Sequence, residues 1–152
     1  EQSQEVFDFV VVDFPDPSNH SLGKLYSTAF YRLLKQHVAE TGRIVVQATS
    51  PMYARESFWT VVVSLEAAGW QTAPYHALVP SFGEWGFILA GRRDYRPPAT
   101  IPVATRFLTP DALPALFHFP TDMARIQAEP NRLDNQNLVR IFEREWGRVQ
   151  AH

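Results

Sequence analysis

Apolar positions along the first part of the chain switch between two spacings, and each switch marks an element. Residues 6–12 (VFDFVVV) form a dense apolar and β-branched run that stops on Asp13, the pattern of a buried strand. Pro15, Asp16 and Pro17 follow, and they can neither extend a ladder nor enter a helix smoothly. Over 21–38, Leu22, Leu25, Tyr26, Ala29, Phe30, Leu33, Leu34 and Val38 recur at three-and-four spacing. They predict one helix with a single buried face, capped by Ser18, Asn19 or Ser21 and ended by Thr41-Gly42. Residues 43–47 (RIVVQ) read as a short strand running into the polar turn Ala48-Thr49-Ser50-Pro51. Ser50-Pro51 has the form of an N-cap and first-turn pair. The helix it opens carries Phe58, Val61, Val62, Leu65 and Ala68 on one face and stops at Gly69. Strands are predicted at 71–79 and 85–91, joined by a turn at 80–84 short enough to make them antiparallel neighbours.

The order β-α-β-α-β-β is an α/β pattern: parallel strands linked by helices and closed by a hairpin, half of a doubly wound sheet. Residues 1–92 are expected to form this unit. Beyond Arg92 the period is lost among Pro97, Pro98, Pro102, Pro110, Pro114 and Pro120. Short helical turns are expected at 111–117 and 121–127. A longer helix over 133–149 has Leu138, Val139, Phe142 and Trp146 on one side and Arg/Glu pairs on the other. Residues 93–152 thus read as an extension wrapped over the core or over a neighbouring subunit.

Composition narrows the function classes. A chain of 152 residues with 45% hydrophobic and 20% charged residues is an ordinary globular domain. A net charge of −2 and the lack of a Lys/Arg block argue against a nucleic-acid or anionic-membrane surface. With no cysteine, disulfide, thiol-nucleophile and zinc-thiolate chemistry are closed. No apolar run reaches the roughly 18 residues of a membrane span. The chain opens on Glu1, almost directly into a core strand, as a section cut from a longer protein would.

Asp13 and Asp16 stand where open α/β sheets keep ligand chemistry, at the C-terminal end of a strand. Gln47 ends the next strand and Ser81-Phe82 the one after, so all of them converge on one crevice if those strands are parallel neighbours. Two carboxylates beside an amide and an aromatic ring suit a small organic cation. An alkylamine, with a pKa near ~10.4, arrives protonated and must lose a proton to become a nucleophile. One acid to take that proton and one to anchor the chain is the minimum set, although a lone D-x-x-D is equally a solvated turn.

Beyond spacing, VVDFPDP, SLGKLYSTAFYRLLKQHVAETGRIVVQATSP and VPSFGEWGFILA, in that order over residues 7–90, resemble the polyamine aminopropyltransferases (spermidine synthases). That family pairs Asp-x-x-Asp-Pro after a strand with a Phe-Tyr helix, a strand ending in Gln, and a Pro-Thr-Tyr loop before Trp-Gly-Phe or its like. The tail, ending Phe142-Glu143-Arg144-Glu145-Trp146, is similar to a bacterial branch whose full-length members carry membrane helices ahead of a cytoplasmic synthase domain. The resemblance implies the C-terminal half of a Rossmann-like, methyltransferase-type sheet. It implies that Asp13 accepts the amine's proton and Asp16 binds the charged nitrogen of a polyamine. Gln47 would line the amine channel, Ser81 and Phe82 would form its far wall, and His20 would lie beside the nucleoside. The implied cosubstrate is decarboxylated S-adenosylmethionine, with no tightly bound cofactor and no metal.

The chain departs from the pattern at several points. Phe82 stands where Tyr is usual, the 81–85 loop is shorter than in the soluble enzymes, Phe14 and Pro15 replace small residues, and His20 replaces Pro. The Gly-rich turn and ribose-binding acid of the nucleotide half are not among these residues, so the polypeptide by itself is expected to be inactive. Strand 6–12 would then be a bare edge that pairs in a homodimer or by strand exchange. Two other classes fit the pattern: a methyltransferase of the same topology, and a non-catalytic interaction module in which the acids only cap a turn. Trp59, Trp70, Trp85 and Trp146 read as core or interface anchors, Tyr26 and Tyr31 as packing, and His76 as a satisfied structural group. Residues 143–148 read as a solvated helix face, and Glu84 as a further negative charge over the crevice.

Overall fold

The computed structural model describes residues 5–151. Four strands, β1 (Phe7–Val12), β2 (Val38–Gln47), β3 (Gln71–Val79) and β4 (Gly83–Gly91), form one mixed sheet in the order β1-β2-β4-β3. β1 and β2 are parallel, with Val10 opposite Ile44 and Val12 opposite Val46. β4 runs antiparallel to both of its neighbours, β2 and β3. β2 and β3 are therefore not adjacent, as a purely parallel reading requires. The hairpin folds β4 back into the gap, because a short turn permits antiparallel pairing at once.

Val12, Ile44, Val46, Ile88 and Ala90 pack on α3 (Arg55–Ala67) through Phe58, Val61, Val62 and Leu65, forming the core with Tyr31 and Trp70. β1 differs from the predicted buried strand. Val10 and Val12 face the core, but Phe9 and Val11 are 57% and 65% exposed on an edge strand whose second face the described residues leave open.

The helix predicted over 21–38 is three pieces: α1 (His20–Gly23), a 3₁₀ turn (Lys24–Tyr26) and α2 (Thr28–Gln36). Ser27 is extended and its Oγ accepts from the Phe30 amide, so a local side-chain cap starts a new helix. The apolar spacing survives the break, which is why periodicity alone reads straight through it. α2 ends before Val38, and β2 starts there instead of at Arg43. Gly42 lies inside the strand, where a Cβ would come within 3.0 Å of the Phe7 and Asp8 carbonyls at a register shift in β1.

α3 begins at Arg55, not at Ser50-Pro51. Ser50 instead closes a turn, its Oγ accepting from the Met52 and Tyr53 amides at 3.3 Å each. Gly69, with φ +87°, ends α3 as predicted, in the left-handed conformation that favours glycine.

The tail forms α4 (Ala112–Ala115) and α5 (Asn137–Gln150), while 121–124 are turns and not a helix. α5 packs on α3 and contacts α1. Buried Asn131 ties these parts together: its amide donates to Ser64 Oγ at 2.8 Å, its Nδ2 to the Gly23 carbonyl at 2.9 Å, and its Oδ1 accepts from the Leu138 amide at 3.3 Å. Among the described residues, no helix is long and apolar enough to cross a membrane.

Candidate active site

At the C-terminal ends of β1 and β2, an open cleft of about 500 Å³ is lined by Asp13, Phe14, Pro15, Asp16, Gln47, Val79, Phe82, Trp85 and Phe87. Both acids and Gln47 thus meet aromatic side chains from the hairpin. The convergence comes about through β4, since Gln47 pairs directly with Phe87 across the β2–β4 ladder. Phe82, 61% exposed at the hairpin turn, lies 5.4 Å from the Trp85 ring, and the buried Trp85 carries the deeper part of that wall.

The loop bearing the two acids is held from below. The Tyr26 hydroxyl, at the end of the 3₁₀ turn, lies 3.1 Å from the carbonyls of both Phe14 and Pro15, positioned to donate to either. Phe14 packs edge-on against Phe30 at 5.4 Å and Tyr26 at 6.3 Å. Burial, reinforced by the charges of Asp16 and then Asp13, holds the Tyr26 phenol well above its ordinary range, so it remains a neutral donor. Tyr26 is therefore more than packing. Its sequence signal was weak, because a Tyr on an apolar helix face looks the same wherever its hydroxyl points.

Asp16 is exposed overall, yet it also borders a small cavity shared with Pro17, Tyr26, Ala48 and Thr49. Loss of water on that side pushes its carboxyl above the ordinary 3.8. With Asp13 beside it on the same cleft, the site offers two carboxylates to a cation and apolar rings to the carbon chain between its charged ends.

Other candidates lie elsewhere. Ser81 is exposed in the hairpin turn and is not among the lining residues; Val79 and Phe87 take that wall with Phe82 and Trp85. His20 is exposed outside the cleft, its Nδ1 3.0 Å from Gln136 Oε1. Glu84 does not overhang the cleft. It belongs to β4 and pairs with His76 Nδ1, while His76 Nε2 is 2.6 Å from the His118 carbonyl. That arrangement makes His76 a structural tie between the hairpin and the tail. Among the described residues, no group of three or more His, Cys, Asp or Glu could hold a metal.

The face over 143–148 is only partly solvated. Arg144 pairs with Glu56, and Glu145 reaches the start of α3. Trp59 and Trp70 are core residues, whereas Trp146 lies 6.3 Å from Trp85 and donates through Nε1 to Thr49 Oγ1 at 3.1 Å.

Known proteins resemble this chain in sequence. Residues 1–97 match the spermine/spermidine synthase domain. The chain is 62% identical over 144 residues to polyamine aminopropyltransferase 2 of Ralstonia nicotianae, covering 93% of this chain and 28% of that protein. It is 49% identical over 149 residues to the polyamine aminopropyltransferase of Leptospira interrogans (98% and 30%) and 41% identical over 144 residues to that of Mycobacterium tuberculosis (92% and 27%). The chain therefore spans less than a third of the length of these relatives. With a domain match over well more than half its residues, and with its acids and aromatic hairpin gathered on one cleft, this chain belongs to the spermine/spermidine synthase family.

Proposed function

We propose that the full-length protein is a polyamine aminopropyltransferase that moves the aminopropyl group of decarboxylated S-adenosylmethionine onto a diamine such as putrescine, giving spermidine and methylthioadenosine. The observation that carries this reading is the placement of Asp13, Asp16 and Gln47 on one cleft with Phe82, Trp85 and Phe87. The diamine enters doubly charged. Asp16 holds one nitrogen, and the apolar rings line the carbon chain. Asp13 takes a proton from the other nitrogen, whose lone pair then attacks the aminopropyl carbon next to sulfur. The carbon–sulfur bond breaks, its electron pair stays on sulfur, and the sulfonium becomes a neutral thioether. The leaving group is already activated, so alignment and a base are the main contributions asked of the protein. Gln47 lines the amine path, and the hydroxyl-free Phe82 makes that end of the cleft favour carbon over a hydrogen-bonding group.

The test is methylthioadenosine release from the full-length protein, with decarboxylated S-adenosylmethionine and a panel of diamines, for wild type and Asp13→Asn. A fall of about a hundredfold or more in the variant is expected for loss of a general base. Absence of release with every amine from folded wild type would overturn the reading. The open edge of β1 further supports pairing with another strand in a homo-oligomer or with other parts of the full-length protein. A strictly monomeric protein by sedimentation at tens of micromolar counts against the homo-oligomer.

A further inference from the structure

We propose that Trp146, on α5, is a positioning residue for amine binding, setting the span of the cleft by holding its β2 wall and its hairpin wall together through Thr49 and Trp85. The inference rests on the reading of the cleft as a diamine site.

Trp146 is not among the residues that line the cleft. Its indole N–H donates to the hydroxyl of buried Thr49 at 3.1 Å, two residues beyond Gln47. Its ring packs at 6.3 Å and 44° against Trp85, which in turn lies 5.4 Å from Phe82. One side chain therefore grips both walls.

The two walls are also pressed directly together beneath it. The Ala48 amide donates to the Gly86 carbonyl at 3.0 Å, and the Gly86 amide to the Thr49 carbonyl at 3.2 Å. Gly86 lies between Trp85 and Phe87, both lining residues. A Cβ at Gly86 would come 2.7 Å from the Thr49 carbonyl and 2.4 Å from the Phe58 ring, so there is no slack at this joint. Movement of Thr49 is passed to the hairpin wall instead of being absorbed.

Trp146 is itself fixed in place. Leu138, Val139, Ile141 and Phe142 bury α5, and the neighbouring Glu145 is bonded to the start of α3. A diamine bridged between acids and aromatic walls is selected by the distance between them, and one methylene more or less changes the fit. Loss of the Trp146–Thr49 tie should therefore relax length selection as well as weaken binding. A Trp that only packs α5 onto the domain would change stability and leave selection intact.

The experiment measures putrescine and cadaverine affinity by calorimetry on full-length wild type, Thr49→Val, Thr49→Ser and Trp146→Phe, with thermal melts and methylthioadenosine release alongside. Thr49→Val and Trp146→Phe should each weaken the preferred diamine about fivefold to tenfold, the effect of one lost hydrogen bond, and narrow the ratio between the two diamines. Thr49→Ser, which keeps the hydroxyl, should restore both. If Trp146→Phe does not fold, the Thr49 pair decides alone. Lower melting temperatures with unchanged affinities and ratio would overturn the inference. Amine binding without methylthioadenosine release would sink the aminopropyl reading and leave the affinity comparison to judge this one. A wild type that binds neither diamine overturns both.

Discussion

Glu145 does for Ser57 what a capping residue ordinarily does from one turn away. Its carboxylate accepts from the Ser57 amide at 2.9 Å and the Ser57 hydroxyl at 2.6 Å, and from the Glu56 amide at 2.9 Å. These are the second and third amides of α3, the ones an N-cap side chain would satisfy, and α3 has Ala54 at that position. The cap is supplied by a residue 88 positions later, placing a negative charge at the positive end of the helix dipole. Glu145→Ala should destabilise the protein by about 1–2 kcal/mol. Thermal denaturation should show this as a drop of roughly 2–4 °C per kcal/mol for a chain of this size. Arg144→Ala, which removes only a surface pair with Glu56, should cost less than about 1 kcal/mol. Equal losses from the two variants would refute the capping role.

Tyr26→Phe tests whether the hydroxyl holds the acids in place. The ring and its contacts with Phe14 are kept, while the hydroxyl's bond to the Phe14 or Pro15 carbonyl is lost. Stability should fall by about 1 kcal/mol. Turnover should fall further, by about tenfold, because the carbonyls belong to the loop that sets the Asp13–Asp16 geometry. Unchanged methylthioadenosine release would show that the loop holds its shape unaided.

Asp16→Asn should separate binding from stability. The folded carboxyl has a raised pKa, so its stabilising contribution is present below the ordinary value of 3.8 and is lost as pH rises through the folded value. At neutral pH the ionised group is a burden on the empty cleft. Asn should leave the melting temperature equal or higher, while diamine affinity falls. A lower melting temperature at pH 7 without amine would contradict this account.

Glu66 works in the opposite sense. Burial alone would raise its pKa, but hydrogen bonds from Arg125 (2.6 and 2.9 Å) and Thr72 (2.8 Å), together with the Arg125 charge, bring it below the ordinary 4.5. Its contribution is therefore complete above pH 4.5 and is lost as pH falls through the lower folded value. Glu66→Gln should lower stability at pH 7 and flatten the acid limb of a melting-temperature profile below pH 4.5. An acid limb parallel to wild type would mean that other carboxylates govern acid unfolding.

Sequence alone carried most of the element types, the place of the two acids at a strand end and the family resemblance. Local patterns carry that information: the β-branched run before Asp13, the apolar faces of α3 and α5, the glycine after α3, and Gln47 at a strand end. Residues 71–91 read correctly as a hairpin because a short turn leaves a strand little choice of partner. The break at Ser27 went unread, since the side-chain cap leaves the three-and-four apolar spacing almost unchanged.

Tertiary structure decided which distant side chains complete each local need. Hydrophobic period reports the face a residue turns inward, but it does not say which polar atom waits there. For that reason the placement of β4 between β2 and β3, the grip of Tyr26 on the acidic loop, the cap from Glu145 and the Trp146–Thr49 bond had no signature along the chain. Glu84 and Glu145 look alike in sequence, as charges on exposed-looking stretches. One became the partner of His76 and the other the cap of α3, because a buried or half-buried polar group must find its complement wherever folding brings one within reach.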